Sequence, residues 1–120
     1  MPIMTVTTLA GKMQEDKKKL AEELTTCIQE HFHLPRQIIR VIFLEMPSSN
    51  YAVAGEFLNE QAGEDDTILR IGIMPGRTPE QKSQLINELK GVLENTPVFS
   101  SGPIRIIIEE NPPENFYKTF

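Results

Sequence analysis

The chain has 120 residues, 39% of them hydrophobic and 7% aromatic, which suits one compact domain with a modest core or two very small ones. Its 12 Lys and Arg against 17 Asp and Glu leave a formal charge of −5, which argues against a general nucleic-acid binder. No apolar run is long enough to cross a bilayer, and a lone Cys27 excludes an internal disulfide or a cysteine metal cluster. The N-terminus also lacks the basic start and small-residue cleavage site of a secretory signal, so a cytoplasmic protein without a membrane partner is expected.

The chain opens MPIM, and Pro2 is either a passive second residue or, once Met1 is removed, a rigid free secondary amine. IMTVTTL (3–9) is rich in β-branched residues and reads as a strand closing on Ala10-Gly11. Residues 13–32 place Leu20, Leu24, Ile28 and Phe32 four apart, the spacing of an amphipathic helix, with Lys17, Lys18 and Lys19 on its solvated side. Cys27 falls on the apolar side, as a buried structural thiol would. Pro35 breaks the helix, and IIRVIFLEM (38–46) is continuous enough for a strand buried on both faces. The Gly- and acid-rich stretch 55–66 reads as a linker. TILRIGIM (67–74) is the next strand, and Thr78-Pro79-Glu80-Gln81 spells a capping box with Thr78 as N-cap. Leu85, Ile86, Leu89, Val92 and Leu93 form the stripe of this second helix. Pro97 to Pro103 mark its end, and IRIIIEE (104–110) closes the chain's last strand.

The two halves repeat each other at a constant offset of 65 positions. Gly11 falls on Gly76, Lys12 on Arg77, Lys17 on Lys82 and Leu20 on Leu85. Arg40 falls on Arg105, Glu45 on Glu110, Pro47 on Pro112 and Tyr51 on Phe116, without any gap. Each half is strand–helix–strand, a crossover that makes its two strands parallel. The expected architecture is α/β: one domain of two β-α-β repeats, about 2–54 and 67–120, forming a four-stranded sheet with both helices on one face. The uncovered apolar face then calls for oligomerisation.

An N-terminal Pro after Met, a short strand closing on Gly-basic, a long helix and then R-V-I-x-x-E-M resemble the pattern of the tautomerase superfamily. The likeness is to 4-oxalocrotonate tautomerase, and both halves of the chain resemble its small subunit, the second without the proline. The resemblance implies a fused, trimeric member that works without cofactor or metal on a small carboxylic acid. It implies Pro2 as general base and acid, and Lys12 and Arg77 as holders of a distal carboxylate. Arg40 and Arg105 would bind the carboxylate and the 2-oxo or enol oxygen, while Tyr51 and Phe116 would close the pocket. Thr67 stands where a second proline would be and offers no amine, so only one half-site can be catalytic. The arginines are also readable as exposed residues paired with Glu45 or Glu110, and Tyr51 and Phe116 as ordinary core residues.

Departures narrow the chemistry. Where dehalogenase-type members carry a histidine, an arginine and a water-activating glutamate, this chain has Gln29, Met74 and Lys118. His31 and His33 are out of register and read as helix-end structure. The region that supplies an aspartate in decarboxylase members holds Pro35, Arg36 and Gln37. Keto–enol tautomerisation of a 2-hydroxy-dienoate or enol-pyruvate-type acid remains as the least demanding reaction. The alternatives are low-level hydratase, dehalogenase or decarboxylase activity, or a non-catalytic trimeric binding protein if Met1 is retained, since the Pro2 nitrogen would then be a tertiary amide.

Overall fold

The fold was analysed in a computed structural model that describes residues 1–59 and 65–119. β1 (Ile3–Leu9) runs into α1 (Gln14–Phe32), which crosses over to β2 (Arg40–Met46) lying parallel to β1. β5 (Thr67–Ile73), α2 (Pro79–Glu94) and β6 (Ile104–Glu110) repeat the unit. The two units join through antiparallel pairing of β1 with β5, giving one four-stranded sheet in the order β2-β1-β5-β6. A two-stranded hairpin, β3 (Ala52–Val53) and β4 (Glu56–Phe57), lies between the units. Its turn takes Ala54 and Gly55 to φ of 54° and 81°, inside and just ahead of the stretch expected to be plain linker.

The repeat survives in register. Ile3 pairs with Arg40 in the first unit, and their counterparts Ile68 and Arg105 pair in the second. Thr5 lies opposite Arg70, which is its own repeat counterpart, so the local two-fold relating the units passes through that pair. Lys17 binds Glu45 at 2.6 Å and Lys82 binds Glu110 at 2.6 Å, each tying a helix to the strand beneath it. Gly11 and Gly76 both adopt positive φ, 106° and 122°, a conformation that favours glycine and turns the chain from strand to helix. The capping box of α2 is formed, with the Gln81 N–H donating to Thr78 Oγ1 at 3.1 Å and the Thr78 N–H to Gln81 Oε1 at 2.9 Å.

Alternation along the strands sorts the two faces of the sheet. Met4, Val6, Leu69 and Ile71 turn towards the helices and are buried with Leu20, Leu24, Ile28, Leu85, Leu89, Leu93 and Phe99. Within the chain β2 is covered on that face alone, not on both as its continuous apolar run suggested. Ile42 and Leu44 on the other face are 46% and 51% exposed. α1 ends before Pro35, at Phe32, because His33 adopts the left-handed conformation (φ 56°, ψ 49°) and its N–H closes on Gln29 O. A 3-10 turn over Arg36–Ile38 then delays β2 to Arg40. Among the described residues no helix is long and apolar enough to cross a membrane.

Candidate active site

Antiparallel pairing of β1 with β5 sets the start of each strand beside the end of the other. Each half-site is therefore built from both repeats. Pro2, at the head of β1, is buried and lines a cavity of about 120 Å³ with Met1, Phe32, Leu34, Ile73, Met74 and Arg77. Arg77 reaches this cavity from the loop after β5, one residue ahead of the α2 N-cap. Its guanidinium carbon lies 4.7 Å from the centroid of the Phe32 ring, a cation–π arrangement. No carboxylate pairs with Arg77 among the described residues. An unpaired cation at the edge of an apolar cavity, beside a helix N-terminus, is disposed to take an anion.

Arg40 follows the same end of the sheet by its backbone, its N–H donating to Pro2 O at 3.3 Å. The guanidinium is exposed and donates to Gln37 O at 2.6 Å. Among the described residues neither Arg40 nor Arg105 pairs with Glu45 or Glu110, which lie five residues further along the same strands and on the opposite face; Lys17 and Lys82 hold those glutamates. Met1 occupies one side of the cavity, with its sulfur 3.7 Å from Asn111 Nδ2.

The other end of the sheet differs. Thr67 takes the place of Pro2, and its N–H is already used by Pro103 O at 3.0 Å. Lys12 forms an ion pair with Asp65 at 3.0 Å and donates to Leu9 O at 3.0 Å. Arg105 forms an ion pair with Asp66 at 2.5 Å. Tyr51 also reaches Asp66: burial, and then its hydrogen bond to that carboxylate, push the phenol pKa up. Phe116 is half-buried and follows the 3-10 turn Pro113–Asn115, just as Tyr51 follows Ser48–Asn50. So the structure brings together Pro2 and Arg77 in one place, and Lys12, Arg105 and Tyr51 in another.

Asp65 and Asp66 fall in the stretch 55–66 that reads as a linker, and the sequence does not single them out. The signal was available: two acids stand immediately ahead of Thr67, and the second, Asp66, is in the position that Met1 holds ahead of Pro2.

His31 and His33 sit at the helix end as expected, His31 pairing with Glu88 of α2 at 2.7 Å and His33 capping α1. The Cys27 thiol is pushed up to about 11, by burial first and then by Glu88 and Glu30, which keeps it protonated and inert at neutral pH. Among the described residues no three His, Cys, Asp or Glu side chains are grouped to hold a metal ion.

Two family profiles, each described as a tautomerase enzyme, match this chain, one over residues 2–61 and the other over residues 40–116. A protein of Bacillus cereus named as a probable tautomerase is 39% identical over 61 residues, which is all of that relative and 51% of this chain. A probable tautomerase of Halalkalibacterium halodurans is 36% identical, again over 61 residues, all of the relative and 51% of this chain. Among solved structures, an asymmetric trimer of wild-type fused 4-OT superimposes with a TM-score of 0.80 at 22% identity, covering 98% of this chain and 92% of the other. A malonate semialdehyde decarboxylase inhibited by 3-bromopropiolate superimposes at 0.77 with 19% identity, covering 99% of this chain and 90% of its own; at these identities both likenesses concern the fold. The half-length relatives fit one repeat and the fused structures fit both, as expected of a doubled β-α-β chain: this protein belongs to the tautomerase family.

Proposed function

We propose that the chain is a cofactor-independent keto–enol tautomerase acting on small 2-hydroxy-dienoate or enol-pyruvate-type acids, through Pro2 freed of Met1. The observation that carries this reading is that Pro2 and the unpaired Arg77 line one largely apolar cavity, whereas the matching place in the second repeat holds Thr67, an internal residue. With Met1 removed, the Pro2 nitrogen is a secondary amine facing the space that Met1 occupies. A free terminal amine titrates at roughly 8 in water. Apolar surroundings and a nearby guanidinium both disfavour its charged form, so it is available as a base at neutral pH.

The reaction needs one proton moved in two steps. The Pro2 nitrogen accepts the proton of the 2-hydroxyl, the electron pair shifts through the conjugated chain to carbon, and the same nitrogen returns the proton there. The O–H and C=C bonds become C=O and C–H, and the amine is regenerated. Arg77 holds a substrate carboxylate, in the manner for which a guanidinium fork is suited. Arg40, whose backbone is bonded to Pro2, is the arginine placed to meet the oxygen that carries developing charge, once its guanidinium leaves Gln37 O. The open face of the sheet, with Ile42, Leu44 and Ile107 exposed, would be covered by assembly into a trimer.

Ketonisation of a 2-hydroxy-dienoate, followed by ultraviolet absorbance, tests the reading. Arg77→Ala should raise KM by more than tenfold, and Pro2→Ala should lower kcat by about 10² or more. Turnover indifferent to both substitutions would remove the assignment.

A further inference from the structure

At the far end of the sheet the two repeats assemble a second half-site whose two cations, Lys12 and Arg105, are both engaged from within. Lys12 and Arg105 hold the places that Arg77 and Arg40 hold in the first half-site. In the first half-site Arg77 meets no carboxylate among the described residues; here Lys12 pairs with Asp65 and Arg105 with Asp66. Asp66 directly precedes Thr67, as Met1 precedes Pro2, so Asp66 holds in the second half-site the place that Met1 holds in the first, with Asp65 one residue ahead of it.

The insertion is built into the fold. Asp65 and Asp66 are only 7% and 5% exposed although they border the acid-rich connection between the repeats. Asp65 also accepts from Thr8 Oγ1 at 3.2 Å, from the Leu9 N–H at 3.4 Å and from the Asp66 N–H at 2.8 Å. Its backbone packs so tightly on Gly102 that a Cβ there would collide with the Asp65 carbonyl. Burying a carboxylate to this degree is costly unless such partners compensate it.

We propose that the second half-site is a dicarboxylate-binding site held closed by the chain's own acids, Asp65 and Asp66 standing on Lys12 and Arg105 in place of an external diacid. The class of ligand rests on the reading of the first half-site as an acid-binding pocket; the closure is drawn from the ion pairs themselves. One consequence is that each chain presents a single acid-binding site, the one at Pro2. A second is that removing the internal acids uncovers another.

The test is calorimetric titration with succinate, a diacid with no enol to tautomerise, in an Arg77→Ala background that disables the first half-site. That background should bind no succinate in the millimolar range. Adding Asp65→Asn and Asp66→Asn should yield one site per chain, at least tenfold tighter than any residual binding, and Arg105→Ala should abolish it. Absence of binding by a variant with unchanged circular dichroism overturns the proposal. Asp66→Asn alone, which frees Arg105 while Lys12 stays on Asp65, is titrated in parallel with the monoacid acetate, so that a double variant that does not fold leaves the question decided: acetate uptake that Arg105→Ala abolishes supports closure and no uptake overturns it. Two succinates per wild-type chain would likewise overturn it. Failure of the functional reading would appear separately, as dienol turnover or wild-type binding that does not depend on Arg77.

Discussion

Lys12 and Asp65 meet at 3.0 Å with side chains only 12% and 6% exposed, while Arg77, the repeat counterpart of Lys12, lies over an aromatic ring. The same position in two copies of one motif thus serves an internal ion pair at one end of the sheet and an open cation at the other. Removing one partner of a buried pair leaves the other charge without compensation. Lys12→Met should therefore destabilise the fold by about 3 kcal/mol, read as a lower urea midpoint at unchanged m. Adding Asp65→Asn should restore most of the loss, because it removes the stranded charge; failure to restore it would place the value of Lys12 elsewhere.

Gly102 is the residue against which the Asp65 backbone closes. Its substitution does not strain φ, so the effect of Gly102→Ala isolates that contact. The added methyl forces the Asp65 segment away and should lower stability by about 1–3 kcal/mol. Amide exchange at Asp66 and Thr67 should rise more than exchange in α1; a uniform rise would contradict a local displacement.

The open face of the sheet carries the third prediction. Ile42 and Leu44 are half exposed on β2 and lie in rows with Thr5 and Thr7 of β1. A charge placed there would be buried without a partner in any assembly that uses this face. The assembly proposed for this face predicts monomers for Ile42→Asp at micromolar concentration, as measured by sedimentation equilibrium. A variant that stays assembled like the wild type would mean that assembly uses another surface.

Cys27 offers a pH readout. Its thiol is pushed from 9.0 to about 11 in the folded chain, so the folded state holds the proton more tightly than the unfolded one. The stability this supplies is present below pH 9 and is lost as pH rises through about 11. Cys27→Ala should flatten the fall in stability over that window. Alkylation by iodoacetamide at pH 8 should be about a hundredfold slower than for a free thiol of ordinary pKa, and equal rates would contradict the shift.

Much of this architecture can be read from residues alone because it repeats. The shared pattern of Gly11 and Gly76, Arg40 and Arg105 carries strand register and crossover sense together, and both reappear in the fold; Glu45 and Glu110 pair with Lys17 and Lys82 and not with the arginines, as one reading had it. Thr78-Pro79-Glu80-Gln81 likewise encodes its own cap, since every bond involved is local. What escaped was non-periodic or long-range. The strands Ala52–Val53 and Glu56–Phe57 are too short to show alternation, and their turn uses an alanine at positive φ. Asp65 and Asp66 look like solvated linker acids until folding brings Lys12 and Arg105 to them. The resemblance already set Arg77 beside Pro2 as a binding residue; what only the fold supplies is the reason, the antiparallel β1–β5 junction that brings the two repeats together at that cavity.

The central claim, that the secondary amine of Pro2 is the working base, is tested most directly by relating turnover to N-terminal processing. Protein retaining Met1 and protein freed of it by methionine aminopeptidase can be mixed in known proportion, with intact mass reporting the fraction processed. Ketonisation of a 2-hydroxy-dienoate should be absent while Met1 is in place and should rise in proportion to the fraction of chains that begin at Pro2. Equal turnover by chains that keep Met1, in which the Pro2 nitrogen is a tertiary amide, would contradict the account.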